Sequence, residues 1–407
     1  MPNFRMIPSP FWVAAAACRY FLLDPVLRVL KLFLLMIGAA AALSACETET
    51  LGEKMVDTKA LKPPPSVVEE TFGRGSTEIT LLLAKAQSGY YEGAARDIRD
   101  GAALAIRELD EAGAMKVKVV DVAGGASVVA AAITAANTRN SGLLVSFAPQ
   151  PTTAAIVAVA PDQRPPLINL AMPVSGGKVF NLGFDEVSSA AQAARRVIAS
   201  GQRKIAILAP VNLAASEEAG LRNAIGQAGG SVVGAVRYDG SATAINELLA
   251  RSKPVLDSAN AVVVMGDGSA VGSVLRGLKA TSPSLQVVGT SHWLAEIYRD
   301  PAATNAIVAA ADPEAMRTVG ERYQTASKRP FSIHAALGYD SIAMTAGIVR
   351  STGTAVVTSE ALTSKTGFRG VTGLFRLTPT GMIERRMGIY RIEAGRLTAI
   401  EAGAASF

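Results

Sequence analysis

From Glu78 onward the sequence alternates short unbroken apolar runs with amphipathic stretches, and this alternation restricts the body of the chain to a layered α/β architecture. The apolar runs begin with Ile79-Thr80-Leu81-Leu82-Leu83-Ala84. They recur at Val117 to Val122, Gly142 to Phe147, Pro166 to Leu170, Lys204 to Leu208, Ser231 to Val236, Ala261 to Met265 and Gln286 to Gly289. A strand covered on both faces reads as a continuous apolar run, whereas a half-exposed strand alternates. Helical periodicity fills the intervals at Ala94 to Ala112, Ser188 to Ala199, Ser216 to Ala228 and Gly272 to Ala280. The pattern predicts parallel strands joined by right-handed helical crossovers.

The runs fall into two sets, one before about residue 183 and one between about 203 and 290, so two similar lobes are expected. A chain of 407 residues, 49% hydrophobic and 18% charged, is long enough for two cores. In open sheets of this kind ligands bind beyond the carboxyl ends of the strands, which directs attention to the loops that follow them. The only cysteines, Cys18 and Cys46, lie near the N-terminus, so the body has no disulfide, thiolate nucleophile or cysteine metal ligand. The two histidines, His292 and His334, make no zinc site without carboxylates; no metal and no cofactor are expected.

The first segment reads as an address. Arg28 and Lys31 precede an apolar run from Leu32 to Ala45, which closes on Leu43-Ser44-Ala45-Cys46. A positive flank, a short apolar core and small residues before a cleavage point describe a secretory signal, too short to span a membrane comfortably. Leu-Ser-Ala-Cys resembles the bacterial lipobox, which implies cleavage before Cys46 and lipidation of its thiol. Glu47 stands where an Asp would favour inner-membrane retention, so periplasmic exposure on an outer-membrane anchor is expected. A second apolar run, Phe11 to Leu23, marks residues 1–27 as an unusual leader, read as a mis-assigned start codon. Loss of four cations and Asp24 with the leader takes the net charge from +6 to +3. With no cluster of Lys and Arg among aromatics, nucleic acid is not expected as a partner. Residues 46–76, with Pro63-Pro64-Pro65 and no periodicity, read as a tether spanning roughly 30 Å as a coil.

Within the body, Leu82-Leu83-Ala84, Ser88-Gly89-Tyr90, Asp97 to Ala102 and Leu104 to Leu109 are similar to the opening of type 1 periplasmic binding proteins of the leucine/isoleucine/valine-binding kind. Pro165 to Asn169 resembles that family's fourth strand, Ala336 to Asp340 its late helix, and Phe368 to Gly373, Gly381 and Gly388 to Ile392 its closing segments. The resemblance implies a two-lobed fold, each lobe a parallel sheet with helices on both faces. Lobe one would comprise 77–182 and 310–387, and lobe two 183–309 and 388–407, with a hinge that closes on ligand. It also implies capture of an amino acid or similar small polar ligand, handed to a membrane ABC permease. Carried over by position, the ligand-binding residues would be Ser88 and Tyr90 after the first strand, Gln150, Thr152 and Thr153 after the third, and Ala171 and Met172 after the fourth. In lobe two they would be Asp267, which could neutralise an ammonium, and Ser291, His292 and Trp293. The family's serine is replaced around Gln150, and the loop holding Ser291 has no Glu.

Other readings stay open at this stage. Tyr90 and Tyr91 also fit as packing residues, Gln150 as a helix cap, Trp293 as a core aromatic, and His334, Tyr339 and Asp340 as packing or hinge residues. Gly289 to Trp293 with Ala310 to Pro313 resembles penicillin-binding protein activators, outer-membrane lipoproteins of this fold, for which the partner would be a peptidoglycan synthase. Catalysis is not expected. Ser175-Gly176-Gly177-Lys178 mimics a serine β-lactamase pattern, but Gly176-Gly177 is a poor helix interior. Ser291-His292 with Asp267 or Asp340 lacks a nucleophile elbow. Gly266-Asp267-Gly268 lacks the third glycine of a dinucleotide loop, because position 271 is Val.

Overall fold

The computed structural model describes residues 69–407, apart from 88, 111, 240, 241, 267 and 294. Cys46, Ser88 and Asp267 therefore lie outside the described residues, as do the leader and residues 46–68.

The first sheet takes β1 (Glu69–Gly73), β2 (Thr77–Leu83), β3 (Met115–Asp121), β4 (Leu143–Phe147), β5 (Leu167–Asn169) and β6 (Val179–Asn181), in the order β1-β3-β2-β4-β5-β6. The strands from β2 to β6 pair in parallel. Helices α1 (Tyr90–Leu109), α2 (Ala126–Thr138) and α3 (Gln150–Ala158) connect them. Because successive residues of a strand point to opposite faces, β2 feeds two cores. Ile79, Leu81 and Leu83 pack with α1, while Leu82 and Ala84 pack with Val129 and Ile133 of α2 and Ile156 of α3.

After residue 185 the chain builds a second sheet. In chain order it places α4 (Glu186–Ala199), β7 (Lys204–Pro210), α5 (Ala215–Gln227), β8 (Ser231–Tyr238), α6 (Ala242–Arg251), α7 (Lys253–Asp257), β9 (Ala261–Val264), α8 (Gly268–Thr281), β10 (Gln286–Val288), α9 (Ala295–Arg299) and β11 (Ile307–Ala310). It then returns to lobe one with α10 (Pro313–Ser327), α11 (Ile333–Thr352), α12 (Ser359–Leu362) and a small antiparallel sheet, β12 (Phe368–Gly370), β13 (Gly373–Leu377) and β14 (Ile383–Arg386). The last strands, β15 (Gly388–Glu393) and β16 (Arg396–Glu401), complete the second sheet in the order β16-β15-β11-β10-β9-β7-β8. Here too the faces split: Ala206 and Leu208 pack with α6 and α8, Ile205 and Ile207 with α4 and α5.

Both sheets are dominated by parallel pairs, as expected, with antiparallel strands at their margins, and one expectation, the tether, needs correction. Neither sheet is wholly parallel: β1 runs antiparallel to β3, β15 to β11, and β16 to β15. These strands occupy sheet edges or arrive from the other lobe without a helical crossover, so nothing forces them into the parallel sense. The end of the expected tether is not a coil, since Glu69–Gly73 forms β1. Glu70 of that strand pairs with Arg99 of α1, and Lys85 lies 3.7 Å from the same carboxylate.

Helices α1 and α11 cross at glycine. A Cβ at Gly101 would stand 2.0 Å from Ala335 O, and one at Gly338 2.2 Å from Ile98 O. The missing side chains let the two backbones touch. An ionic net closes the same pair: Arg329 bridges Asp97 and Asp100 of α1, and Asp97 accepts from Ser332, the N-cap of α11, at 2.6 Å.

The chain passes between the lobes near residues 182–185, 311–312 and 387. At this waist the buried Asp340 of α11 accepts from Val371 N at 2.7 Å and from Thr372 N at 2.9 Å. Arg385 of β14, also buried, donates to Leu182 O at 2.7 Å and to Thr372, and lies over the rings of Phe184 and Phe375. Burial pushes its guanidinium down to about 10, against the pull of Asp340. Among the described residues no helix is long and apolar enough to cross a membrane.

Candidate functional site

The loops after β2, β4 and β5 bring rings and an exposed methionine to one edge of lobe one. Tyr90 opens α1 and is 63% exposed; its hydroxyl and His334 Nε2 of α11 are 2.9 Å apart. Tyr90, Tyr91, Phe147 and His334 form a cluster with ring centroids 5.3 to 6.1 Å apart, in edge-on and tilted arrangements. Met172, 72% exposed, stands on the loop after β5, which Asn169 shapes by donating to Met172 O at 2.8 Å and accepting from Ala171 N. Ala171 is half-buried beside it. Helices α1 and α3 begin with Gly89 and Pro149 as N-caps, neither of which supplies a side-chain cap, so among the described residues the first backbone N–H groups of both helices are not capped by their N-cap residues.

The corresponding edge of lobe two is polar. Glu186, the first residue of α4, has a side chain only 12% exposed. Its Oε1 accepts from Gly266 N at 2.5 Å and from Thr290 Oγ1 at 2.9 Å. Its Oε2 accepts no hydrogen bond from the described residues and faces His292 Nδ1 at 3.7 Å. The other ring nitrogen, His292 Nε2, lies 3.3 Å from Phe184 O. Ser189 Oγ accepts from Ser291 N at 3.0 Å, fixing the loop after β10 to α4, while Ser291 Oγ is buried with no hydrogen-bond partner among the described residues.

The two edges sense each other. Burial lowers the affinity of His334 for a proton, Asp97 partly restores it, and His292 from the other lobe lowers it again. The two histidines of the chain thus stand one on each edge, His334 on lobe one and His292 on lobe two.

Several expected site residues are placed otherwise. Trp293 is 3% exposed: its Nε1 donates to Val264 O at 3.1 Å and its ring lies against Gly289, so it is a core residue of lobe two and not a ligand platform. Thr153 is buried and its hydroxyl donates to Ala148 O at 3.0 Å; Thr152 is buried as well. Gln150 is exposed as the first residue of α3 and does not cap it, because Pro149 holds that position. Asp340 serves the waist and points away from any triad with Ser291-His292. Tyr90, Met172, Ala171, Ser291 and His292 remain at the cleft edges. Sequence reasoning missed Glu186, whose place after Asp185 reads as an ordinary helix start, and it set His334 among packing residues. Among the described residues no cluster of His, Cys, Asp and Glu fit to hold a metal occurs.

Comparison with known proteins gives this geometry a lineage. A search of curated proteins finds no match. Similar solved structures include a branched-chain amino acid ABC transporter periplasmic ligand-binding protein from Burkholderia xenovorans (TM-score 0.65, 16% identity, covering 81% of this chain and 95% of that one). Another is a solute-binding protein of an ABC transporter from R. palustris in complex with benzoate (0.60, 16%, 82% and 98%). A third is a branched-chain amino acid transporter substrate-binding protein from Streptococcus pneumoniae in complex with isoleucine (0.59, 18%, 81% and 99%). At these identities the likeness establishes the two-lobed fold. The family model described as periplasmic binding protein matches residues 78–396, most of the chain, and on that ground the chain belongs to the periplasmic binding protein family, whose members capture solutes and do not catalyse.

Proposed function

We propose that this protein captures an amino acid, or a small solute of the same build, between its two lobes and delivers it to an ABC permease. The observation that carries the reading is Glu186: a largely buried carboxylate at the cleft edge of lobe two with one oxygen free to take a donor from the described residues' side. An ammonium of a bound solute reaching that oxygen would form a charge-assisted hydrogen bond with it. On the opposite wall, Tyr90 and Met172 offer apolar surface for a side chain, and the starts of α1 and α3 offer N–H groups to a carboxylate. Glu186 replaces Asp267 as the favoured acceptor for the ammonium.

The proposal includes the expected lobe limits, 77–182 with 310–387 and 183–309 with 388–407, moving as bodies about the waist. It also includes attachment to the outer membrane through a lipidated Cys46, with the body facing the periplasm. A thermal-shift screen of the mature protein against amino acids, amides and aromatic acids tests capture. A ligand at 100 times its dissociation constant stabilises the fold by about 2.7 kcal/mol. A saturable rise is expected, lost in Glu186→Ala; a flat response across the panel, from folded protein free of co-purified ligand, rules capture of these solutes out. Metabolic labelling with a palmitate analogue, lost in Cys46→Ala, tests the anchor.

A further inference from the structure

The segment that follows β16 crosses the waist once more than the fold requires. Strand β16 ends in lobe two, where Glu401 pairs with Arg196 of α4 at 2.9 Å. From there residues 402–407 turn back towards lobe one. A Cβ on Gly403 would stand 3.4 Å from Gly388 N, at the waist itself. Ala405 O accepts from the guanidinium of Arg369 in β12 at 2.8 Å. The ring of Phe407 then lies against Arg376 of β13 and Arg386 of β14, whose guanidinium carbons are 4.4 and 5.6 Å from its centroid. Gly367 leaves room for that ring, since a Cβ there would stand 2.7 Å from Phe407 Cε2. By register Arg369, Leu374 and Arg386 share one face of the small sheet, and the contacts of the segment flank Leu374, which is buried. Residues 402–406 are exposed and Phe407 is half-buried, so the segment is held at Phe407 and open along its length.

We propose that residues 402–407 are a releasable strap, rooted in lobe two and docked through Phe407 on the arginines of lobe one, that holds the lobes at the angle of this structure. The covalent passages near residues 182–185, 311–312 and 387 persist at every lobe angle. The strap differs from them, because its root and its dock belong to different lobes and are joined by contacts that can break. Docking therefore favours the angle that brings root and dock together, and it shifts the population of angles by the difference in its own free energy between them. Guanidinium groups over an aromatic ring at an exposed site attract only weakly, which suits a contact that must release when the lobes turn. Release leaves the dock intact: Arg376 stays paired with Glu384 at 2.6 Å when the ring departs. The strap rests on the lobes moving about the waist, as proposed above, and not on which solute they hold.

The test reads the distance between the lobes by pulsed electron spin resonance. Ala130→Cys and Ala219→Cys place labels at exposed positions near the starts of α2 and α5, one on each lobe, and with Cys18→Ser and Cys46→Ser no other thiol is present. In this background Phe407→Ala, and separately Arg386→Gln, is expected to make the distance distribution about twofold broader. Combining them is expected to add nothing, since both remove one contact. Phe407→Tyr keeps the ring and the original distribution; circular dichroism verifies that each variant folds. A distribution unchanged in Phe407→Ala and Arg386→Gln, or broadened as much by Phe407→Tyr, overturns the strap. Adding a mixture of the proteinogenic amino acids separates this failure from that of lobe motion. A shift in distance on addition, with identical distributions in the parent and Phe407→Ala, overturns the strap and leaves lobe motion standing. No change with the amino acids or with any variant overturns both.

Discussion

Lobe one meets the cleft with rings and lobe two with a carboxylate, hydroxyls and an imidazole. The difference continues into how each wall is supported. Behind Tyr90, Phe147 and His334 stands a helix pair locked by glycine contact and by Arg329. Behind Glu186, Thr290 and His292 stands Trp293, whose indole fills the space beneath the loop after β10. A two-walled receptor needs only one wall to carry the charge and one to carry the apolar surface. This division lets the charged wall depend on a few hydrogen bonds to α4 while the apolar wall depends on packing.

Removing the support of each wall separately tests this comparison. Trp293→Ala is expected to have the largest effect, about 4 kcal/mol, from lost burial and the cavity left behind. Urea denaturation should show it, with lobe two losing its fold before lobe one. Trp293 is the only tryptophan after Trp12, so in the mature wild-type protein its emission reports lobe two alone. Gly338→Ala forces the α1–α11 crossing apart and is expected to cost about 2–3 kcal/mol. Here the far-UV signal of lobe one should melt first and the emission of Trp293 should follow later. A single coincident transition in both variants would show that the walls are not independently supported.

The smallest effect is expected from protons. Burial holds His334 below the ordinary imidazole value, so the unfolded chain takes up the proton first as pH falls. The stability contributed by the neutral ring is complete above about pH 6.5 and is lost as pH drops below it. His334→Gln should therefore flatten part of the fall in melting temperature between pH 7 and pH 5, a change well below those of the two core variants. An unchanged slope would remove His334 from the account of lobe one's stability.

Strands β2 to β5 and β7 to β10 were legible in the sequence because coverage on both faces demands uninterrupted apolar residues, as in Leu81-Leu82-Leu83 or Val262-Val263-Val264. Strands β1, β14 and β16 were not, since polar residues dominate them: β14 reads Ile-Glu-Arg-Arg and β16 Arg-Leu-Thr-Ala-Ile-Glu. Helix α2 escaped notice because its Ala-rich sequence has little contrast between faces. At the site, the loops after the strands were found from topology alone. Which of their residues turn inward was not, because Trp293 and Thr153 sit among polar neighbours and only tertiary packing shows their burial. Glu186 was hidden for the opposite reason, as acidic residues at helix starts are expected without any ligand.

The meeting of α1 with α11 also bears on how the protein comes into being. Roughly 220 residues separate Leu109 from Ile333, and the whole of lobe two up to β11 lies between them. A chain emerging at about 5–20 residues per second exposes the apolar face of α1 for some ten seconds or more before its partner exists. During that interval the face of α1 that α11 later covers lies open, and the close backbone contact at Gly101 and Gly338 forms only once α11 has emerged.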